Sequence, residues 1–184
     1  MKFIPQTIPD VLLIEPVIHS DERGYFMETF KQKQLDEALG YEVNFVQDNE
    51  SKSTSKGVLR GLHFQLPPFT QNKLVRVIKG EVLDVAVDIR RKSPTFGRHV
   101  AVELSEKNKK QLFVPGGFAH GFIVLSKEAI FSYKVDAYYS AEHEEGIAYN
   151  DKDLGIDWHF LEEEVILSKA DQNYSNLSDH KKLF

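Results

Sequence analysis

Residues 57–65 read Gly57-Val58-Leu59-Arg60-Gly61-Leu62-His63-Phe64-Gln65. Apolar side chains dominate the segment and Gly57 and Gly61 punctuate it, which suits a short strand bounded by turn chemistry. Side chains alternate along a regular strand. Leu59, Gly61 and His63 then face one way, and Arg60, Leu62 and Phe64 the other. A bulge at Gly61 changes that parity and could bring Arg60 and His63 together. From local sequence alone, the two are either a surface histidine beside a surface arginine or the beginning of a site.

Similar short segments surround this one. Val11 to Ile14, Lys73 to Ile78, Glu81 to Ile89, Val100 to Leu104, Gln111 to Val114, Phe122 to Leu125 and Ala129 to Val135 all read as strands. Their β-branched and aromatic residues fit a pleated, half-buried surface. Lys79-Gly80 reads as a tight hairpin turn between two of them. In the second arm, Val82, Asp84, Ala86 and Asp88 share one face, and Leu83, Val85, Val87 and Ile89 the other. Many short strands with regular turn signals predict a mainly β fold, a sandwich or barrel. One helix is expected over Lys31 to Leu39, closed by Gly40, and a second stretch near Leu161 to Val165.

The chain has 184 residues, no cysteine and a formal net charge of -5, from 28 Asp+Glu against 23 Lys+Arg. That length suits a single domain over residues 1–184. With no thiol, disulfide frameworks, thiolate zinc sites, iron–sulfur clusters and cysteine nucleophiles are excluded. The acidic balance argues against nucleic acid as partner, but a local basic cluster can still take a small anion. No apolar run approaches the length of a membrane helix, and the N-terminus has no signal-peptide core. The expectation is a soluble cytoplasmic protein.

A second segment, Phe113-Val114-Pro115-Gly116-Gly117-Phe118-Ala119-His120-Gly121-Phe122, again sets a histidine among glycines and apolar residues. Gly57 followed after five residues by His63 resembles the start of the first cupin motif. Pro115-x-Gly117-x-x-His120 resembles the second. Metal-binding cupins continue the first motif with His-x-His and a glutamate; here Gln65 stands at the second histidine and Lys73 where the glutamate is expected. An ammonium cannot ligate while protonated, so the pattern argues against a metal and against a metal-dependent dioxygenase. Two histidines, a lysine and an arginine suit instead an anion that forms during reaction. A cation stabilises an enolate beside a carbonyl, and a neutral histidine is the natural base.

Individually, the other candidates have ordinary readings. Tyr133 looks like strand packing, Asp171 like a loop residue or helix cap, Lys73 like a solvated edge residue, Arg23-Gly24 like a turn, and Tyr138-Tyr139 like core. Their ordered combination is specific. Asp21 to Phe26, Phe45 to Asn49, Gly57 to Gln65, Lys73 to Arg76, Asp84 to Asp88, Ser93 to Gly97, Pro115 to Phe122 and Gly155 to Trp158 together resemble the dTDP-4-dehydrorhamnose 3,5-epimerase family nearly end to end.

The resemblance implies a cupin jelly-roll β-sandwich with a few short peripheral helices. It also implies a homodimer whose N-terminal segment, to about Ile14, helps to form the dimer sheet, and no cofactor. The implied reaction is epimerisation of dTDP-4-dehydro-6-deoxy-D-glucose at carbons 3 and 5, in dTDP-rhamnose biosynthesis. In it His63 is the base, Asp171 its charged partner, Tyr133 the acid on the opposite ring face, and Lys73 the enolate stabiliser. Arg60 and His120 line the sugar and phosphate region. Arg23, Phe26, Glu28, Gln47, Asn49, Tyr139 and Glu144 fall on substrate-binding positions, with Tyr139 stacking on thymine and Lys169 a further contact. Two alternatives stay open: a single-site 3- or 5-epimerase on a related dTDP-4-keto sugar, and a non-catalytic sugar-nucleotide-binding cupin. The chain departs from the pattern at Lys169-Ala170-Asp171, where lysine commonly precedes the aspartate directly. Tyr149 replaces a usual tryptophan, and Ala141, His159 and Ser175 replace usual prolines.

Overall fold

The computed structural model describes residues 1–184. The chain runs through strands β1 (Lys2–Pro5), β2 (Leu12–Glu15), β3 (Ile18–Asp21) and β4 (Gly24–Met27), then helix α1 (Gln32–Leu39). There follow β5 (Gln47–Ser53), β6 (Leu59–Gln65), β7 (Lys73–Lys79), β8 (Glu81–Asp88), β9 (His99–Ser105), β10 (Gln111–Val114), β11 (Phe118–Val124), β12 (Ala129–Val135) and β13 (Glu144–Gly146). Three 3-10 turns close the chain, at Glu162–Glu164, Asp171–Asn173 and Leu177–Asp179. The helical stretch expected near Leu161 to Val165 is the first of these turns. No helix is long and apolar enough to cross a membrane.

Two antiparallel sheets pack face to face. One has the order β1-β2-β10-β7-β12-β5, the other β13-β6-β11-β8-β9, and β3 and β4 form a separate hairpin. The core between the sheets draws Val75, Val77, Leu112 and Phe131 from the first and Val82, Ala86, Leu104 and Phe122 from the second. The back of the second sheet is also covered. Leu59, Leu62, Leu83, Val85 and Val87 pack there against Tyr149, Leu154, Trp158 and Leu177 from the C-terminal segment. That double cover explains the near-continuous burial along β8, since both of its faces leave water. Helix α1 sits on the back of the first sheet through Leu35, and Gly40 closes it in the left-handed conformation with φ +76°.

Lys79-Gly80 is not a hairpin turn. β7 pairs with β10 and β12, whereas β8 pairs with β11 and β9. The chain crosses from one sheet to the other at Gly80, which has φ +81° and no room for a Cβ against the Glu128 carbonyl. Sequence periodicity reports which faces are apolar, not which neighbour a strand takes, so a sheet change at a glycine looks like a tight turn. β11 is also longer than expected, beginning at Phe118 and so including His120.

The decisive local feature lies in β6. His63 sits opposite His120 in the ladder, yet Arg60 sits opposite Phe122, so Gly121 faces two residues, Gly61 and Leu62. This is the bulge that the glycine allows. Gly61 has φ +137°, and a Cβ on it would lie 2.5 Å from the Gly121 Cα. One added methyl would force the strands apart. The bulge shifts parity, so Leu59, Leu62 and Phe64 pack in the outer cluster while Arg60 and His63 both reach the space between the sheets.

Candidate active site

Two adjoining hollows open between the sheets, and His63, Lys73 and Tyr133 line both. The inner one also touches Ser51, Arg60, His120, Phe122, Phe131, Ser168 and Asp171. The outer one touches Gln47, Asn49, Gln65, Gln71, Tyr139 and Glu144. His63 and Arg60 come from β6 and His120 from β11, all in the five-stranded sheet. Tyr133 comes from β12 and Lys73 from β7, both in the six-stranded sheet. A ring held between the sheets therefore meets an imidazole from one wall and a phenol from the other.

The Nε2 of His63 lies 2.6 Å from Asp171 Oδ1. With Nε2–H donating to the carboxylate, Nδ1 keeps its lone pair and is the basic nitrogen. Asp171 reaches the site from the first 3-10 residue after Ser168. The Ser168 hydroxyl donates to Asp171 Oδ2 at 2.8 Å and accepts from the Asp171 backbone N–H at 3.1 Å. Burial alone raises the Asp171 carboxyl, but the hydrogen bonds and charge from His63 and Ser168 outweigh it, and the group sits below the ordinary aspartate range. It is therefore ionised beside the imidazole. Tyr174 lies edge-on to His63, with ring centroids 5.7 Å apart.

A second imidazole–carboxylate pair lies deeper. His120 Nε2 is 3.0 and 3.1 Å from the two oxygens of Asp84 on β8, and both residues are buried. Lys73 is buried as well, and its Nζ donates to the His63 carbonyl at 3.4 Å. Burial pulls its ammonium down to about 8, with the charges of Asp84 and Glu144 opposing the fall. Burial pushes the Tyr133 phenol up, helped by Glu144 and opposed by Arg60. Near neutral pH the site thus presents a protonated phenol and a mostly protonated ammonium, which has lost half its protons by about pH 8. Arg60 is anchored by Ser53 Oγ at 3.2 Å and the Lys52 carbonyl at 3.3 Å.

At the mouth, the Tyr139 hydroxyl donates to Glu144 at 2.7 Å, and Gln47 donates to Asn49 at 2.8 Å. Arg23, Phe26 and Glu28 line neither hollow. Arg23 and Phe26 stand on the β3–β4 hairpin, where Arg23 pairs with Asp21 and Phe26 is 67% exposed; Glu28 pairs with Lys31 at 2.9 Å. Lys169 is an exposed residue outside both hollows. The donor set does not suit a metal: Gln65 spends its amide on backbone groups, Lys73 replaces a carboxylate, and each histidine faces its own aspartate. No group of three or more His, Asp or Glu side chains is placed to hold an ion.

Sequence reasoning passed over Asp84, Ser168 and Tyr174 as site residues. Asp84 carried a signal, since a carboxylate alternating with apolar residues in a strand must find a partner when buried. Ser168 and Tyr174 carried none, because their roles arise from how the C-terminal segment folds back. One departure has a backbone cause: His159 has φ +63° and donates its N–H to Asp157 at 2.9 Å, neither of which proline can do.

The family model described as dTDP-4-dehydrorhamnose 3,5-epimerase matches residues 5–179. The dTDP-4-dehydrorhamnose 3,5-epimerase of Shigella flexneri is 56% identical over 97% of this chain and 97% of its own. The same enzyme from Elizabethkingia anophelis superposes with a TM-score of 0.94 at 49% identity, covering 99% of each chain. A 3,5-epimerase from Legionella pneumophila, solved in complex with dTDP-4-keto-L-rhamnose, gives a TM-score of 0.92 at 51% identity, covering 97% of this chain and 93% of that one. On the fold, the paired histidines and these likenesses, the chain belongs to the dTDP-4-dehydrorhamnose 3,5-epimerase family.

Proposed function

We propose that this chain epimerises dTDP-4-dehydro-6-deoxy-D-glucose at carbons 3 and 5 to dTDP-4-dehydro-L-rhamnose, as an isomerase of dTDP-rhamnose biosynthesis. The observation that carries the reading is the His63–Asp171 pair facing Tyr133 and Lys73 across one cavity. Carbons 3 and 5 both flank the 4-keto group, so loss of a proton from either gives an enolate. His63 Nδ1 takes the proton, and Asp171 stabilises the resulting imidazolium. Lys73 neutralises the charge on the enolate oxygen. Tyr133 returns a proton from the other wall, which inverts the carbon; His63 then gives its proton to solvent and the Tyr133 phenolate takes one from solvent, which resets both groups. One cycle at each carbon leaves formula and oxidation state unchanged, and neither needs a redox cofactor.

The nucleotide belongs at the outer hollow, with Tyr139, Gln47, Asn49 and Glu144 as its contacts and Arg60 and His120 beside the sugar and phosphates. Arg23, Phe26 and Glu28 fit this scheme through a second copy. Arg23 and Phe26 are exposed on a hairpin that packs in neither sheet, Glu28 is exposed just after it, and a homodimer that seats the hairpin at the partner's mouth brings its cation and aromatic ring to the dinucleotide end. We place the reaction in the cytoplasm.

The test is proton exchange in deuterated water, followed by mass spectrometry. Two deuterons incorporated into the dTDP-sugar support double epimerisation; one points to a single-site enzyme; none, with tight binding retained, points to a binding protein. His63→Asn should abolish exchange while leaving dTDP binding largely intact. Near-normal exchange in that variant removes His63 as the base.

A further inference from the structure

Gln65 occupies the position that metal-binding cupins give to histidine, and its amide is fully used. Nε2 donates to the Phe69 carbonyl at 2.7 Å and to the Tyr138 carbonyl at 3.2 Å, while Oε1 accepts from the Ser140 backbone N–H at 2.7 Å. An amide offers two donor hydrogens and one acceptor oxygen, and all are engaged here. The residue is 4% exposed, so little water competes for these bonds.

Two of the three bonds flank Tyr139 on either side. That residue is 56% exposed, so core packing does not set its direction, which is left to the ties on its backbone and on its hydroxyl. Neighbouring amides extend the tie. Gln71 Nε2 donates to the Ala137 carbonyl at 2.8 Å, and Asn72 donates through its backbone N–H and its side chain to Asp136 at 2.7 and 2.5 Å. The Tyr139 hydroxyl is held in turn by Glu144, the ladder partner of Gln65 across β6 and β13. One side chain thus sits behind both groups at the mouth.

We infer that Gln65 is a positioning residue for the nucleobase, acting as a clamp that presets the direction of the Tyr139 ring. The inference rests on the reading that Tyr139 stacks on the base. A pre-ordered aromatic binds more tightly because less freedom is lost on binding. The bonds lie in the hollow's mouth and touch neither the base nor the acid of the reaction, so their loss should appear in nucleotide affinity rather than in proton transfer.

The experiment titrates dTDP by calorimetry into wild type, Gln65→Leu, Tyr139→Ala and the double variant, and measures kcat for each single variant. Gln65→Leu should weaken dTDP about tenfold, with kcat at saturation within about threefold of wild type. The double variant should bind no worse than the weaker single variant, because both changes remove one ring's contribution. Wild-type dTDP affinity in Gln65→Leu, a loss seen in kcat alone, or full additivity in the double variant overturns the clamp while leaving the stacking reading in place. Unchanged affinity in Tyr139→Ala overturns the stacking reading and the clamp together. Gln65→Glu is the second arm, because it keeps the acceptor and regains one donor only when protonated. Its dTDP affinity relative to wild type should rise as pH falls; a flat ratio overturns the inference.

Discussion

The cavity holds two imidazole–carboxylate pairs, and they are built differently. His120 and Asp84 come from neighbouring strands of one sheet, and the ladder alone brings them together. His63 and Asp171 are 108 residues apart in sequence, and the aspartate arrives on a 3-10 turn from outside the sandwich. The side chain of His120 is 8% exposed, whereas that of His63 is 31% exposed. Both pairs fix a ring nitrogen, but only His63 presents an accessible face at the junction of the two hollows. The difference teaches that the same pairing of groups leaves one imidazole open and the other mostly enclosed in the hollow wall, which is why the proposed base is His63 and His120 is left to contact and support. The buried pair also bears on Lys73, because Asp84 supports the charge that burial works against.

The same substitution in each carboxylate tests that contrast. Asp171→Asn should lower the rate of solvent exchange by about a thousandfold, since an amide no longer stabilises the imidazolium and favours the wrong tautomer. Deuterium exchange under saturating substrate reads this directly, and a loss below about tenfold would equate the two pairs.

Lys73→Met comes next, with an expected loss of about a hundredfold in kcat through the missing charge on the enolate oxygen. The same variant should be more stable at pH 7. The folded-state pKa of Lys73 is depressed from 10.5 to about 8, so the charged form is disfavoured in the native state. That cost is fully present below about pH 8 and vanishes as pH rises past the ordinary lysine value, so native stability rises with pH across this window. Removing the ammonium should stabilise the fold by about 2 kcal/mol at neutral pH, seen as a raised Tm and midpoint denaturant concentration. A lowered Tm would mean that the lysine is held by more than its burial suggests.

Asp84→Asn should have the smallest effect on rate, no more than about tenfold at neutral pH. Its signature is in the pH profile. Rate should fall above about pH 8 in the wild type as Lys73 loses its proton. Without the Asp84 charge the lysine pKa drops further, so this alkaline limb should move to lower pH. An unmoved limb would separate Asp84 from Lys73. A loss as large as that of Asp171→Asn would make the deep pair catalytic in its own right.

Much of this site was visible in the chain, because its residues sit in short segments with unusual local chemistry. Glycines beside His63 and His120 marked positions where backbones approach closely. Gln65 and Lys73 declared themselves by standing where a metal-binding pattern requires other groups. The alternation in Glu81 to Ile89 placed Asp84 on one face with Val82, Ala86 and Asp88, and the fold turned that face inward. By contrast, Ser168 and Tyr174 sit in a polar C-terminal stretch whose sequence carries no period, and nothing local tells a serine that holds the Asp171 carboxylate from one that meets water. Lys79-Gly80 misled for a similar reason, since a turn signal gives the bend but not the partner of the next strand.

Sequence alone determined that the chain forms many short strands, which histidine stands near which glycine, and which imidazole, phenol and ammonium groups the proposed chemistry would draw on. Those properties follow from side-chain type and alternation, which are local. Tertiary structure decided that Arg60 and His63 share a face, because the bulge at Gly61 depends on the close approach of Gly121 from another strand. It decided that His63 and Tyr133 stand on opposite walls, because β6 and β12 belong to different sheets. It also decided the state of Lys73, whose depressed pKa comes from being enclosed by neighbours distant in the chain, and enclosure is a property no single segment possesses.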